Sequence, residues 1–302
     1  MSNPLYPNNL ANRQRRQLLK TWGVVCGTAA LAYSGLTQCE EILQQQDDKT
    51  KRSAIGLQLY TIREFMEKSV TDTLKLVAGI GYQQVEFAGY FNQSAKNIRA
   101  LLDGEGLSAP AAHISLEQLQ NHLEKIIEDA LVVGHQYLVL PYLTEEQRGR
   151  DIAGYQRLAA DLNHFGERCK QAGLRLAYHN HDFEFFAVQG GTPYDTLLQE
   201  TDPALVWMEL DLYWTVKAGL DPVALFNKHP GRFALWHVKD MDKSGNFADV
   251  GQGVIDFKSI FAFGSVAGLQ HHFIERDQTE NKITTINQGF QTMSNILAQI
   301  NQ

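Results

Sequence analysis

Nine residues, AYHNHDFEF (177–185), set His179 and His181 two positions apart, flanking Asn180, with Asp182 and Glu184 close behind. Imidazoles and carboxylates at this density hold a divalent cation or move protons; a polar loop cap is the alternative. The same residue types recur along the chain as Glu86, His113, the pair Glu209 and Asp211, the trio His237, Lys239 and Asp240, and the pair Glu275 and Asp277. An isolated His or acid of this kind is ordinarily a hydrogen-bonded loop residue or a helix cap. A whole series of them, rich in His, needs a common cause.

Each group closes a short apolar run. The runs are AIGLQLY (54–60), QVEFA (84–88), APAAHI (109–114), YLVLPY (137–142), LRLAYHNH (174–181), LVWMELDL (205–212), FALWHVKD (233–240) and HHFIERD (271–277). They read as strands, and stretches with helical spacing separate them, such as LEQLQNHLEKIIEDALVVG (116–134) and IAGYQRLAADLNHFGERCKQAG (152–173), the latter closed by Gly173. Eight strand–helix units in roughly 250 residues are the size of an α/β (β/α)8 barrel, a TIM barrel, as a single domain over 54–302. A doubly wound sheet would want a Gly-rich phosphate turn after an early strand, and neither GLQLYTIRE nor EFAGYFNQS supplies one. Period-two alternation puts His179 with His181, and Glu209 with Asp211, on one face. Outside the barrel that face would press charge against the helix layer, so the interior mouth is where it belongs.

On that frame His179, Asp211, His237 and Glu275 are the candidate metal ligands, with His181 the other strand-five option. Lys239 either steadies negative charge or faces solvent. Glu86 and His113 read as polar groups that meet substrate, and Trp207, Trp214 and Trp236 as candidate floors for a sugar.

The first 50 residues differ in kind. NRQRRQLLK (12–20) carries Arg15-Arg16 ahead of Leu18-Leu19, an uncharged stretch follows, and ALA (30–32) offers small residues for cleavage. The pattern resembles a twin-arginine export signal over 1–39, which predicts a periplasmic protein. About 19 residues interrupted by Gly, Ser and Thr make a poor membrane span. A lipoprotein site at Cys39 is disfavoured by Gln38. EEILQQQDDKTKRS (40–53) reads as a polar linker. With Cys26 and Cys39 in the leader, Cys169 stands alone in the remainder, so no internal disulfide is expected there.

Hydrophobic residues make up 44% of the 302, enough for a large core. The leader to residue 39 has four basic residues and no acid, leaving 23 Lys+Arg against 34 Asp+Glu, a net charge of −11. That balance excludes nucleic acid as the expected partner and argues against a DNA-cleaving enzyme. Monomer and homodimer both remain open.

The strand endings GYQQVEFAG (81–89), AYHNHDFEF (177–185), MELDLYW (208–214), LWHVKD (235–240), GQGVIDF (251–257) and FIERD (273–277) resemble, in this order, the xylose isomerase-like TIM barrels, which include sugar and sugar-phosphate isomerases and epimerases. The resemblance implies a divalent ion, Mn²⁺ first and Zn²⁺, Fe²⁺ or Co²⁺ as alternatives, held by residues of strands five to eight. Asp211, His237 and Glu275 match three of the family's ligands. His179 stands where the family has Glu, so the two-carboxylate mechanism is in doubt while the ion is kept.

The implied chemistry is enolisation of a keto sugar, with isomerase or epimerase activity as the outcome. Glu275 would be the base, Lys239 would steady the enediolate, and His181, Glu86 or Glu184 would supply an opposing acid/base. His113, Trp214 and Glu184 are the candidate substrate contacts. With a base on one side only, the same enolate expels a β-substituent, giving a dehydratase or lyase of keto-sugars or 3-keto-glycosides. A sugar-binding barrel without catalysis is the third reading. Export favours an unphosphorylated carbohydrate.

Overall fold

The computed structural model describes residues 54–300. The export-signal and linker expectations, with Arg15, Arg16, Cys26 and Cys39, lie outside the described residues.

Eight parallel strands close into a barrel: β1 (Gly56–Gln58), β2 (Gln84–Phe87), β3 (Ser108–His113), β4 (Tyr137–Leu140), β5 (Arg175–His179), β6 (Val206–Asp211), β7 (Leu235–Val238) and β8 (His271–Ile274). Each pairs with its sequence neighbour, and β1 pairs with β8 to close the ring. Every crossover carries helix, including α1 (Val70–Ile80), α2 (Ala95–Glu105), α3 (Leu116–Val133), α4 (Ile152–Gln171) and α5 (Pro193–Glu200), then α6 (Pro222–Lys228), α7 (Phe257–Phe261) and α8 (Lys282–Ile300). The (β/α)8 expectation therefore holds, and the helix layer follows from the amphipathic spacing. On α4, for instance, Tyr155, Leu158, Ala159, Leu162, Phe165 and Cys169 are all buried. Each such large apolar side chain contributes roughly 1.5–3 kcal/mol by leaving water.

Helix starts are tied down where chain direction matters for the site. Ser115 caps α3 by accepting the Gln118 N–H while the Gln118 side chain returns to the Ser115 N–H. Asp151 caps α4 by accepting the Gly154 N–H, with no bond in return.

Two layers fill the barrel interior. Ala111, Tyr137, Val139, Ala177, Leu235 and Phe273 form an apolar plug, with Trp207 against it. Towards the C-terminal strand ends the inward positions turn polar, which is the alternation expected of strands that carry a site on a packed base.

The strands stop short of their apolar runs, and β5 shows why. Asn180 accepts the Asp211 N–H through Oδ1 at 3.1 Å and donates through Nδ2 to the His181 carbonyl. The chain thus leaves the ladder at His179, and His181 sits on the loop above it. Trp236 corrects the sugar-floor expectation. It is fully buried outside the barrel, stacked on Phe226 at 4.8 Å and edge-on to Phe261, because β7 turns alternate residues towards the helices. Trp207 packs at the barrel base, with the Arg175 guanidinium over its ring.

After β7 the chain makes a two-residue antiparallel ribbon, Asp240–Met241 with Phe247–Ala248. Asp240, which the sequence grouped with His237 and Lys239, has a structural task here. Its carboxylate accepts the backbone N–H groups of Gly251, Gly253 and Ile255, the GQGVI stretch. A Cβ at Gly253 would run into that carboxylate and the Met241 carbonyl, which accounts for the glycine.

Candidate metal centre and its cleft

Register brings the strand ends into contact. His179 lies beside Glu209 across β5–β6, and Asp211 beside His237 across β6–β7. His237 is the hub. Its Nδ1 is 2.8 Å from Glu275, and its Nε2 is 2.7 Å from Glu86 and 3.2 Å from Glu209. His179 turns Nδ1 to Glu209 at 3.1 Å and Nε2 towards Asp211 at 3.8 Å. His113 reaches the same Glu209 oxygen at 2.9 Å.

Two donor groups result, His113–His179–Glu209–His237 and Asp211–His237–Glu275, and within each the donor atoms lie within 4.8 Å of one another. They share His237 but use different nitrogens of it. Glu86 and Glu209 hold the far nitrogens of His237 and His179, which leaves His237 Nδ1 and His179 Nε2 turned to Asp211 and Glu275. A carboxylate behind a ligating imidazole is the arrangement that fixes its tautomer and orientation. Gln58 in turn donates to Glu86 at 2.8 Å.

Lys239 enters from β7 and places its ammonium among three carboxylates, 3.0 Å from Asp211, 2.7 Å from Glu275 and 2.7 Å from Asp277. Burial alone would strip its proton, but Asp211, Glu275 and Asp277 hold its pKa well above the ordinary value. Burial would likewise raise Glu275, yet Lys239 and His237 keep it well below the usual carboxylate range. For Asp211 burial wins over Lys239 and His237, lifting it to about 6. Burial opposes charge on His237 too, but Glu209 and Glu275 keep it well above 6.5. His179 is pushed to about 3, by burial first and then by His237, so it is a neutral imidazole at pH 7. Burial, reinforced by Glu209, raises Glu86 to about 7.

The donors suit a divalent ion. Neutral imidazole and carboxylate oxygen are the ligand types of Mn²⁺, Zn²⁺ and Fe²⁺; His179 is already neutral, and His237 would give up a ring proton on binding. One oxygen each of Glu86 and Glu209 is buried without a hydrogen-bond partner, polar capacity that a purely structural network would have satisfied.

Above the centre opens a cleft of about 720 Å³, lined near the centre by His113, His179, His181, Lys239, Glu275 and Asp277. Of the sequence-nominated residues, Glu86, Glu184, Trp214, Asp211 and His237 do not line it, so Trp214 is not the substrate contact expected of it. Glu184 is buried behind β5, where it accepts the Tyr178 hydroxyl at 2.7 Å and the His181 N–H at 2.8 Å, so it holds the loop instead of meeting substrate. Burial raises it to about 7. Trp214 stands beside His181 with ring centroids 5.3 Å apart. His181 also stacks on Phe183, and burial, then His179 and Lys239, keep it uncharged. Glu209 is a strand-end acid to which the sequence alone assigns no role. The signal was its two-residue spacing from Asp211, which put both inside.

No helix among the described residues is long and apolar enough to cross a membrane. The family model of the xylose isomerase-like TIM barrel matches residues 74–273. Over 139 residues the chain is 30% identical to an inosose dehydratase of Lacticaseibacillus casei, covering 40% of this chain and 44% of that one. Over 152 residues it is 30% identical to an inosose dehydratase of Geobacillus thermodenitrificans, covering 44% and 48%. The chain thus matches less than half the length of these curated relatives. A crystal structure of a sugar phosphate isomerase/epimerase from Parabacteroides distasonis superposes with a TM-score of 0.68 at 25% identity, covering 78% of this chain and 95% of that one. With two thirds of its length matched, and with β2 through most of β8 inside the match, this chain belongs to the xylose isomerase-like TIM-barrel family.

Proposed function

We propose that the protein enolises a keto sugar or keto-cyclitol and then expels the oxygen substituent β to the carbonyl, a dehydratase- or lyase-type elimination. The observation that carries this reading is one-sidedness. The carboxylates lining the inner cleft are Glu275 and Asp277, both on the β8 side and both bound to Lys239. Of the candidates for an opposing base, Glu86 and Glu184 are withdrawn from the cleft and His181 is the one left. With the carboxylates on one side, elimination needs no second base, whereas epimerisation needs a proton returned from the other face, where His181 is the one candidate left. The similarity to inosose dehydratases favours the same outcome.

His179, Asp211, His237 and Glu275 would hold the divalent ion, with Mn²⁺ the first choice on the family resemblance. When bound, such an ion supplies Lewis-acid polarisation of the substrate carbonyl. Glu275, ionised at neutral pH, takes the proton from the carbon beside the carbonyl, and the C–H electron pair becomes the enolate. As the carbonyl re-forms, the C–O bond at the β carbon breaks and the departing oxygen takes the proton from Glu275. Lys239 stays charged throughout, keeps Glu275 ionised and offsets the enolate charge.

The cations lining the cleft already have protein acceptors. Lys239 has its three carboxylates, and Arg63 donates to the carbonyls of Tyr60 and Asp277. That supports an unphosphorylated substrate. Export to the periplasm is part of the proposal and rests on the leader sequence.

Incubating keto sugars and keto-cyclitols with Mn²⁺-loaded protein in D₂O tests the reading by mass spectrometry. Loss of water or of a glycosidic alcohol supports elimination. Deuterium uptake with only the epimer or aldose–ketose isomer formed supports the isomerase reading, for which His181 on the cleft is the favouring observation. No exchange with any keto compound refutes both.

A further inference from the structure

His237 and His179 each turn one nitrogen towards Asp211 and Glu275 and the other towards Glu209, and the Glu209 side holds more than an orienting group needs. Three imidazole nitrogens meet a single oxygen of Glu209: His113 Nε2 at 2.9 Å, His179 Nδ1 at 3.1 Å and His237 Nε2 at 3.2 Å. The other oxygen of that fully buried carboxylate has no hydrogen-bond partner. A carboxylate oxygen has two lone pairs, so three nitrogens on one oxygen beside an idle one make a poor hydrogen-bond network. They make a good set of ligands. Bonds of roughly 2.0–2.2 Å to a tetrahedral ion set its donors about 3.3–3.6 Å apart, so the three contacts need to spread by only up to about half an ångström to admit one.

His113 points the same way. Orienting His179 and His237 takes Glu209 and Glu86, and His113 has no part in it. Its ring nonetheless lies nearly parallel to His237 with centroids 5.3 Å apart, and 5.4 Å from the ring of His179. His113 and His179 both line the cleft, which gives an ion its way in.

We propose that His113, His179, Glu209 and His237 form a second cation site, selective for Zn²⁺, which excludes Mn²⁺ from His179, Asp211, His237 and Glu275 when it fills. Three imidazoles with one carboxylate suit Zn²⁺, whereas two imidazoles with two carboxylates suit Mn²⁺ better. Exclusion follows from the shared rings. A neutral imidazole binds an ion through one nitrogen and keeps its proton on the other. Holding Mn²⁺, His237 keeps that proton on Nε2 for Glu86, and His179 keeps it on Nδ1 for Glu209. Holding Zn²⁺, His237 keeps it on Nδ1 for Glu275, and His179 on Nε2, the nitrogen turned to Asp211. The two ions thus require opposite tautomers of the same two rings, and filling both sites would strip two buried imidazoles of their last protons. Because its donors already hold one another, the second site fills only with added Zn²⁺, which then displaces Mn²⁺ and ties Glu275 to His237. The site rests on the Mn²⁺ ligand set proposed above and not on the reaction.

Equilibrium dialysis of the full chain against Mn²⁺, Zn²⁺ or both tests this, in wild type and in His113→Gln and Asp211→Asn protein whose Tm shows it folded. Wild type should bind either ion and release its Mn²⁺, read by electron paramagnetic resonance, as Zn²⁺ is added. His113→Gln should weaken Zn²⁺ by at least about tenfold and Mn²⁺ by less than about threefold, and Asp211→Asn should do the reverse. X-ray absorption at the zinc edge of wild type, which needs no variant, should show three imidazoles around the ion; two would overturn the site. Parallel weakening of both ions in each variant also overturns it, since one set of ligands would then serve both. Mn²⁺ retained beside Zn²⁺ in a three-imidazole shell overturns the exclusion. Zn²⁺ lost in His113→Gln, with no Mn²⁺ bound by wild type, refutes the ligand set of the proposed function and leaves the zinc site standing.

Discussion

Replacing Lys239 by methionine keeps the side-chain length and removes one charge from a place where the structure leaves little room for compensation. The ammonium is buried within 3.0 Å of carboxylate oxygens from Asp211, Glu275 and Asp277, and Asp211 and Glu275 are themselves buried. Taking away one partner of a buried ion pair costs about 3–5 kcal/mol, because the other partner is left without countercharge. For a chain of this size that is a fall in Tm on the order of 10 °C. The control is Lys228→Met, which loses an exposed pair with Asp195 and should cost under about 1 kcal/mol.

The loss in Lys239→Met has a pH signature. Asp211 sits at about 6 in the native protein, against about 3.9 unfolded. A carboxyl with a raised native pKa stabilises the fold below its unfolded value and loses that stabilisation as pH rises through its native one. Without the ammonium the native pKa rises further, so the deficit should be larger at pH 7 than at pH 5. The assay is urea or thermal unfolding in EDTA at both pH values, repeated with excess Mn²⁺. If Asp211 and Glu275 are ligands, Mn²⁺ should recover at least half of the deficit, since an ion that binds the native state restores the missing positive charge. A deficit below about 1 kcal/mol in EDTA at pH 7 would refute the role given to Lys239.

Elemental analysis should find near-stoichiometric metal in wild type and almost none in Asp211→Ala, whereas Glu209→Gln should keep the site but weaken it about 10–100-fold, as loss of an orienting group does; equal loss in both would make Glu209 a ligand. His272 is fully buried with neither ring nitrogen partnered, and burial holds it at about 4. Because the unfolded chain takes up that proton near pH 6.5 and the native one does not, the fold loses stability as pH falls from about 6.5 to 4, by about 2 kcal/mol at pH 5. His272→Phe should therefore gain about that much relative to wild type between pH 7 and pH 5 in denaturant titrations, and a parallel pH profile would contradict it. Gly253→Ala forces a methyl against Asp240 and the Met241 carbonyl and should cost about 1–3 kcal/mol; an unchanged Tm would show that the loop relaxes freely.

The barrel was legible because six of its eight apolar runs end in groups that only an enclosed mouth can accommodate. The ligand candidates were legible for the same reason, since period-two spacing puts Glu209 with Asp211, and His237 with Lys239, on one side. Long-range pairing was not legible. Glu184 and Glu86 carry the same chemistry as Glu275, yet one is tied to Tyr178 and the other to Gln58 and His237, and both ties depend on where the chain turns after its strand. His181 shows the limit most clearly. Alternation would stack it on His179 as a second ligand, but Asn180 bonds across to Asp211, the strand ends, and His181 is carried to the cleft wall against Phe183 and Trp214.

The histidine at strand five then acquires a reason. With Glu at that position the ion's shell would hold three carboxylates, and Asp277 would add a fourth against one lysine. In the proposed ligand set, with His179 neutral, two carboxylates, Asp211 and Glu275, match the charge of a divalent ion and Asp277 faces Lys239. Glu209, which burial would raise but His237, His113 and His179 hold well below the usual carboxylate range, is an anion outside that set. Moving a proton from substrate carbon to Glu275 creates the enolate and neutralises the carboxylate together, leaving total charge unchanged in a buried space where added charge is costly. His179→Glu breaks that balance. It should raise the affinity for Mn²⁺, since an anionic ligand replaces a neutral one, and lower the rate of deuterium exchange into a keto substrate, since the enolate then forms beside an extra negative charge. Tighter metal with undiminished exchange would show that charge matching is not what the histidine provides.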